Sequence, residues 1–348
     1  MNIIEELIKT PEKWLDGKGP YSDIVISSRI RLARNLANFP FPNQATKEEL
    51  NNIKNLVETK IKKIKSFKDL FVIKLNEIEE IDKHILIERH LMSHDMLEKP
   101  DGMVIVNEEE EVSILVNEED HLRLQVLTSG LQLKKCWKII NELDDAIEKE
   151  MQYAFSSEYG YLTSCPTNVG TGLRASVLVH LPGLVLSKHI NQVLKSLANI
   201  GIAVRGYYGE GTEVIGNFYQ ISNQLTLGKE ENTIIDDLEK IIKKIIENEL
   251  QSREILYNEL KIDLEDQIFR AYGILKNARI ISSKEATELL STLKLGIDLK
   301  LIKDIETSVL NELLIFTQPS HLQKKKKKLM EAKARDIERA QIIRQRLA

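Results

Sequence analysis

Cysteine is nearly missing from these 348 residues, and the two present, Cys136 and Cys165, are too few for a disulfide framework or a cysteine-rich zinc site. No apolar run approaches the length that spans a bilayer. The opening MNIIEELIKTPEKW lacks the basic-then-apolar pattern of a secretory leader, so a cytoplasmic protein without membrane contact is expected. No stretch reads GxxxxGK[ST], HRD or DFG, which removes P-loop and eukaryotic-type protein kinase chemistry. Nor is there an excess of one charge: the net value is −4. That balance hides an uneven spread, because His321–Ala348 holds ten Lys/Arg against three Asp/Glu. A uniformly basic nucleic-acid binder does not look like this. What remains is 42% hydrophobic and 29% charged, the composition of an ordinary globular chain with room for one large domain and a smaller one.

Residues 1–20, broken by Pro11, Gly17, Gly19 and Pro20, are too few for a domain. Residues 46–66 show helical apolar spacing. Between Phe71 and Leu127 the runs FVIKL, HILIE, GMVIVN and VSILVN read as β-rich, and the last leads into Glu118, Glu119, Asp120 and His121 at a strand end. A helix is expected over Gln132–Gln152, a strand at SVLVHL, a helix over Ser187–Asn199, and a strand at NFYQISNQLTL. After Lys229 the texture turns helical. The expected division is an N-terminal segment 1–20, a catalytic domain 21–254 and a helical domain 255–348, with the boundary near Ser252–Asn258.

Three features carry chemistry. In YLTSCPTNVGTGLRASVLVHL, Gly170 and Gly172 free the backbone to bring N–H groups close to an anion, with Arg174 just beyond. In SDIVISSRIRL, Arg29 and Arg31 alternate and share one face of a strand. In RDIERA, Arg335 and Arg339 stand four apart on one helix face, where two guanidinium groups can grip a phosphate. Read singly, each is an ordinary turn, surface arginine pair or solvated helix.

Together with NEEDHLR at 117–123 and RGYYGEGTE at 205–213, these blocks resemble the guanidino (phosphagen) kinases, in family order from about residue 20 to 230. Their details, and RDIERA, resemble the bacterial protein-arginine kinase branch. The resemblance implies an α+β fold, an antiparallel sheet flanked by helices plus a C-terminal helical domain that dimerises. It implies ATP, with Mg²⁺ held mainly through the phosphates, and no protein metal site. Glu119 and Glu210 match the two carboxylates that hold and deprotonate a guanidinium, and Cys165 the reactive cysteine that supports it. The nucleotide-binding set it implies is Ser27, Ser28, Arg29, Ile30 and Arg31; His90 and Arg123; Arg174, Ala175, Ser176, Val177 and Leu178; then Arg205, Gly206, Tyr207, Tyr208, Gly209 and Glu210. Arg335, Asp336, Arg339 and Ala340 match an allosteric phosphoarginine pocket.

The chemistry fits the residue types. A guanidinium has a pKa above about 12 and is a poor nucleophile while protonated, so two carboxylates suit its orientation and deprotonation. Arginines and Mg²⁺ suit the phosphates. Small-molecule guanidino kinases carry a helical domain of roughly a hundred residues before the SSR-type motif; here that motif starts at Ser27, which points to arginine side chains of proteins as substrate. The resemblance further implies stress regulation, marking for Clp protease degradation, and an activator protein. A kinase of free arginine and a non-catalytic phosphoarginine-binding adaptor are the alternatives. The run Lys324–Lys328 reads as a solvated tract rather than a contact for nucleic acid or an acidic protein surface.

Overall fold

The computed structural model describes residues 3–64, 69–207 and 214–348. Its strands are β1 (Val25–Arg34), β2 (Leu70–Lys74), β3 (Met103–Asn107), β4 (Val112–Val116), β5 (Leu122–Ser129), β6 (Phe155–Ser156), β7 (Gly160–Tyr161), β8 (Leu173–His180), β9 (Ile202–Arg205) and β10 (Phe218–Asn223). The helices before the C-terminal region are α1 (Ile3–Leu7), α2 (Lys47–Ile61), α3 (Glu80–Glu88), α4 (Leu133–Glu148), α5 (Pro182–Leu186), α6 (Ile190–Asn199) and α7 (Glu231–Glu259). Then come α8 (Lys261–Asn277), α9 (Ser283–Asp298), α10 (Thr307–Phe316), α11 (Pro319–Lys326) and α12 (Ala332–Arg346). Eight strands form one antiparallel sheet in the order β2-β3-β4-β5-β1-β8-β10-β9.

Strand periodicity gives this sheet two unlike faces. Ile30 and Leu32 of β1, Leu124 and Val126 of β5, and Ala175 and Val177 of β8 point to one side, into a core covered by α4 and α7. Their neighbours Arg29, Arg31, Arg123, Gln125, Arg174 and Ser176 point to the other. Two further apolar clusters cover the ends of that second face. One gathers Ile4 and Leu7 of α1 with Ile85 and Leu86 of α3. The other joins Trp14, Ile26, Leu178 and Phe218 to Leu290, Leu313 and Ile343 of the C-terminal helices. The C-terminal helices thus share a core with the sheet, and a polar strip is left between the two clusters.

One expectation is corrected here. HILIE is helix, not strand: a short apolar run has no diagnostic period, and the acidic residues Glu80 and Asp82 supply a favourable first turn. The helical texture after Lys229 is α7, which runs unbroken to Glu259. Among the described residues no helix is long and apolar enough to cross a membrane.

At the end of β1, Arg34 is buried, bonding Asp144 of α4 at 2.7 Å and the carbonyls of Ala33 and Thr171 at 2.9 Å. Its guanidinium also stacks 3.6 Å from the Tyr161 ring centre. Arg34→Ala strands the Asp144 carboxylate in the core, and a loss of about 3–5 kcal/mol is expected. Urea unfolding should show a lower midpoint at unchanged slope.

Candidate active site

The arginines converge because neighbouring strands hold them in register on the second face. Arg31 lies opposite Gln125 of β5 and Arg174 of β8; Arg29 lies opposite Leu127 and Ser176. Arg205 faces Gln220 across the β9–β10 pair, and Ser222 faces Ser176. A like-charged pair directly across a ladder is destabilising by itself, and a bound anion would offset that cost at Arg31 and Arg174.

Arg29, Arg31, Arg123 and Arg205 line a cavity of about 390 Å³, with Gln125, Ser176, Gln220 and Ser222 on its wall and residues 90–95 closing one side. Burial first, then the charges of Arg123, Arg174 and Arg205, bring the Arg29 guanidinium down to about 10. Arg31 is pushed well below its ordinary value, by burial and then by Arg29, Arg123 and Arg174. Arg31 Nε is buried with no hydrogen-bond partner among the described residues. This donor set suits a polyphosphate: concentrated positive charge, planar N–H forks and neutral amide and hydroxyl donors.

His90, in the left-handed region at φ 59°, follows α3 and packs edge-on against Trp14 and Tyr207 with ring centres 5.4 and 5.2 Å away. Burial, Arg29 and His94 hold its imidazole down to about 3, so it is neutral at physiological pH. The Gln125 amide donates to the His90 carbonyl at 2.7 Å.

The acidic block forms the tight turn between β4 and β5, opened by Asn117 at φ 59°. Its two glutamates differ in kind. Glu118 is fully buried; it accepts from Arg123 Nη1 at 2.6 Å and from the Ser93 hydroxyl. Glu119 has a 42% exposed side chain and meets Arg123 Nη2 at 3.2 Å and the Asn168 amide at 3.5 Å. Burial raises the Glu119 pKa, against the lowering by Arg123, with Asp120 and Glu118 adding to the rise. Arg123 therefore joins the arginine-lined cavity to the carboxylates.

Asp120 fixes the turn to the cysteine loop. Its Oδ1 accepts from the Asn35 amide and from Ser164 N–H, both at 2.7 Å, while Asn35 Oδ1 accepts from His121 N–H at 2.9 Å. His121 is neutral with its proton on Nε2: Nδ1 accepts from Leu36 N–H at 3.0 Å and Nε2 donates to Pro40 O at 3.0 Å. On that loop Cys165 is half-buried, its Sγ 3.0 Å from the Thr167 hydroxyl.

Several expected residues sit elsewhere. Ser28, Ile30, Ala175 and Val177 face the apolar core, because alternation turns them away from their arginine neighbours; the Ser28 hydroxyl is used on Gly130 O and Gln132 N–H. Leu178 and Ser27 reach only the narrow space beside His90 and Tyr207. The glycine loop is no anion cradle: Gly170 and Thr171 N–H donate to Tyr161 O and Thr226 O. Its glycines serve close packing, since a Cβ at Gly170 would lie 2.4 Å from Thr226 O and one at Gly172 2.6 Å from Ala33 O. Gly206 and Tyr207 continue from β9, whereas Tyr208, Gly209 and Glu210 lie outside the described residues. In α12, Arg335 donates to Met330 O at 2.9 Å. Arg339 is buried, donating to Thr317 O and Ile281 O at 2.9 Å and pairing with Asp336; Ala340 is fully buried. Gln125, Gln220 and Ser93 went unnoticed in the sequence; Gln125 was detectable, being two residues beyond Arg123 on the same face.

Comparison with known proteins agrees with this geometry. The profile of the ATP:guanido phosphotransferase C-terminal catalytic domain matches residues 52–252, and that of the protein-arginine kinase McsB C-terminal domain residues 261–348. Protein-arginine kinases of Bacillus velezensis and Bacillus subtilis are 49% and 47% identical, each over 96% of this chain and 93% of their own. That of Halothermothrix orenii is 47% identical over 100% of this chain and 99% of its own. Among solved structures, lombricine kinase superposes with a TM-score of 0.59 at 26% identity, covering 71% of this chain and 75% of that one. The duplicated taurocyamine kinase of Schistosoma mansoni, with bound transition-state analogue components, gives 0.60 at 25%, covering 74% and 39%. An arginine-floored cavity joined through Arg123 to a carboxylate turn, on a sheet shared with guanidino kinases and in a chain matched end to end, has one source: the protein belongs to the ATP:guanido phosphotransferase family and, within it, to the protein-arginine kinases.

Proposed function

We propose that the chain moves the γ-phosphoryl group of ATP onto a guanidinium nitrogen of an arginine side chain in a protein. The observation that carries this reading is the double attachment of Arg123: one guanidinium spans both glutamates of the turn while lining the cationic cavity. Arg29, Arg31, Arg123, Arg174 and Arg205 would hold the phosphates, with neutral His90 beside them. Mg²⁺, carried on those phosphates, would supply further charge neutralisation. Glu119, and with it Glu210, would orient the planar fork of the incoming guanidinium. As the N–P bond forms and the bond from phosphorus to the ADP oxygen breaks, the proton of the attacking nitrogen passes to a carboxylate. The raised pKa of Glu119 suits that acceptor. Cys165, on the loop that Ser164 and Asn168 tie to Asp120 and Glu119, would support the bound guanidinium.

Incubation with ATP, Mg²⁺ and an arginine-rich protein, followed by mass spectrometry at neutral pH, should reveal Nω-phosphoarginine. Faster phosphorylation of free arginine than of protein would replace this reading by a small-substrate kinase. Complete inactivity with intact phosphoarginine binding would leave only an adaptor.

We extend the reading to a helical domain over 255–348, after a catalytic domain 21–254 and a segment 1–20, that binds phosphoarginine through Arg335, Asp336 and Arg339 and dimerises. Cytoplasmic location, a role in stress, an activator protein and Clp protease as partner belong to the same extension, supported by the resemblance. The buried bonds of Arg339 decide how its site is tested. Alanine there would leave two carbonyls unsatisfied and perturb the fold, so Arg335→Ala and Arg339→Lys are the informative variants. Phosphoarginine binding measured by calorimetry should weaken at least roughly tenfold in the double variant. Equal affinity would reduce RDIERA to a structural helix.

A further inference from the structure

The lysine run at 324–328 takes no part in the chemistry above. It borders a cavity of about 840 Å³ that shares no lining residue with the nucleotide cavity. The walls come from α1 and the residues after it, the start of α3, α11 and α12. Ile8, Ile81, Phe316, Ile342 and Leu329 make its surface apolar, and Leu329 is 80% exposed.

The lysines divide into two groups. Lys324 pairs with Asp82 at 2.5 Å and Lys326 with Glu338 at 3.0 Å, so these two fasten α11 to its neighbours. Lys325, Lys327 and Lys328 are exposed and have no ion pair among the described residues, and Lys9 joins them across the opening. The end of α11 is built to spread them. Lys328 N–H bonds Gln323 O at 3.2 Å and Lys327 N–H bonds Lys324 O at 3.0 Å, a Schellman closure with Lys327 left-handed at φ 52°. Glycine is the usual occupant of that position. A lysine there accepts backbone strain and adds charge to the rim. One lysine would complement the helix dipole; three unpaired ones beside an exposed leucine exceed that need.

We propose that this groove docks an acidic, leucine-bearing segment of the protein substrate, separate from the arginine that is phosphorylated. The inference rests on the reading that the chain acts on proteins. Charge complementarity selects carboxylates for the rim, and the apolar surface selects an aliphatic side chain between them. A nucleic-acid backbone or a lipid headgroup would satisfy the lysines but gain little from Phe316, Ile342 and Ile81. Docking at a distance raises the effective concentration of the target arginine, so it lowers KM and leaves kcat unchanged.

The test uses the full chain and a fluorescein-labelled peptide of alternating Glu and Leu, followed by anisotropy. Lys325→Glu/Lys328→Glu and Leu329→Ser alter exposed side chains and should each weaken binding roughly tenfold. A peptide with Ser in place of Leu should bind as weakly as the variants bind the original. With a substrate protein carrying the same acidic tail, the variants should raise KM by a similar factor at constant kcat, and phosphorylation of a short untailed arginine peptide should not change. Equal affinity of variants and wild type would overturn the proposal. So would equal affinity for the Ser peptide, or tighter binding of oligothymidylate or phosphatidylglycerol vesicles. If no protein is phosphorylated at all, the transfer arm refutes the parent reading while anisotropy still decides the groove.

Discussion

Glu119→Gln should lower kcat by about 10²-fold or more and leave ATP affinity within a factor of about two. The substitution keeps the shape and the acceptor oxygen that meets Arg123, and removes only the capacity to take a proton. Glu118 next to it is badly placed to take that proton, being sealed from solvent and committed to Arg123 and Ser93. Glu119 is reachable, and its raised pKa brings its basicity nearer to working pH. The sign of the pH dependence follows. The carboxylate is the active form, so turnover should rise with pH through that raised pKa and fall in acid, and Glu119→Gln should lose this limb. Glu119 does not line the arginine-walled cavity, so nucleotide binding should be preserved. Glu210→Gln should behave alike if the second carboxylate shares the work. Calorimetry with ATP and a rate profile between about pH 5 and 9 check both parts. Near-normal turnover of both variants would remove the assignment.

The arginine-bearing face was legible in the sequence because strand alternation is local. Arg29 and Arg31 two apart, and Arg123 one step past a polar turn, suffice to place three guanidinium groups on one surface once the strands pair. The same rule, applied consistently, turns Ile30, Ala175 and Val177 into core, which motif matching alone obscured. What escaped was set by distant partners. Whether the Thr171 amide beside the glycines faces an anion or Thr226 O depends on a segment more than fifty residues later. Arg339 reads as half of a surface pair at helical spacing, and only the positions of Thr317 and Ile281 bury it. HILIE lacked any period that separates helix from strand, and its packing against α1 and the sheet decided the matter.

Arg123→Ala should produce the broadest loss of any single substitution, because it acts on nucleotide, base and fold together. Removing a cation from the cavity should weaken ATP binding about tenfold and slow transfer by roughly 10²–10³-fold, the range typical of a lost transition-state donor. Arg174→Ala, on β8 at the far side of β1, should weaken ATP binding and slow transfer in the same way. Arg123→Ala also leaves the Glu118 carboxylate, fully buried, with the Ser93 hydroxyl as its remaining side-chain partner. Breaking a buried pair from one side costs about 3–5 kcal/mol, so unfolding should shift as well. The double variant Arg123→Ala/Glu118→Gln separates the two consequences. It withdraws the stranded charge, and most of the stability should return. Activity should not, since the cation near the transferring phosphoryl group is still absent and Glu119 still lacks its 3.2 Å partner. Recovery of turnover along with stability would mean that Arg123 only holds the turn together; recovery of neither would mean that Glu118 has a role beyond its ion pair.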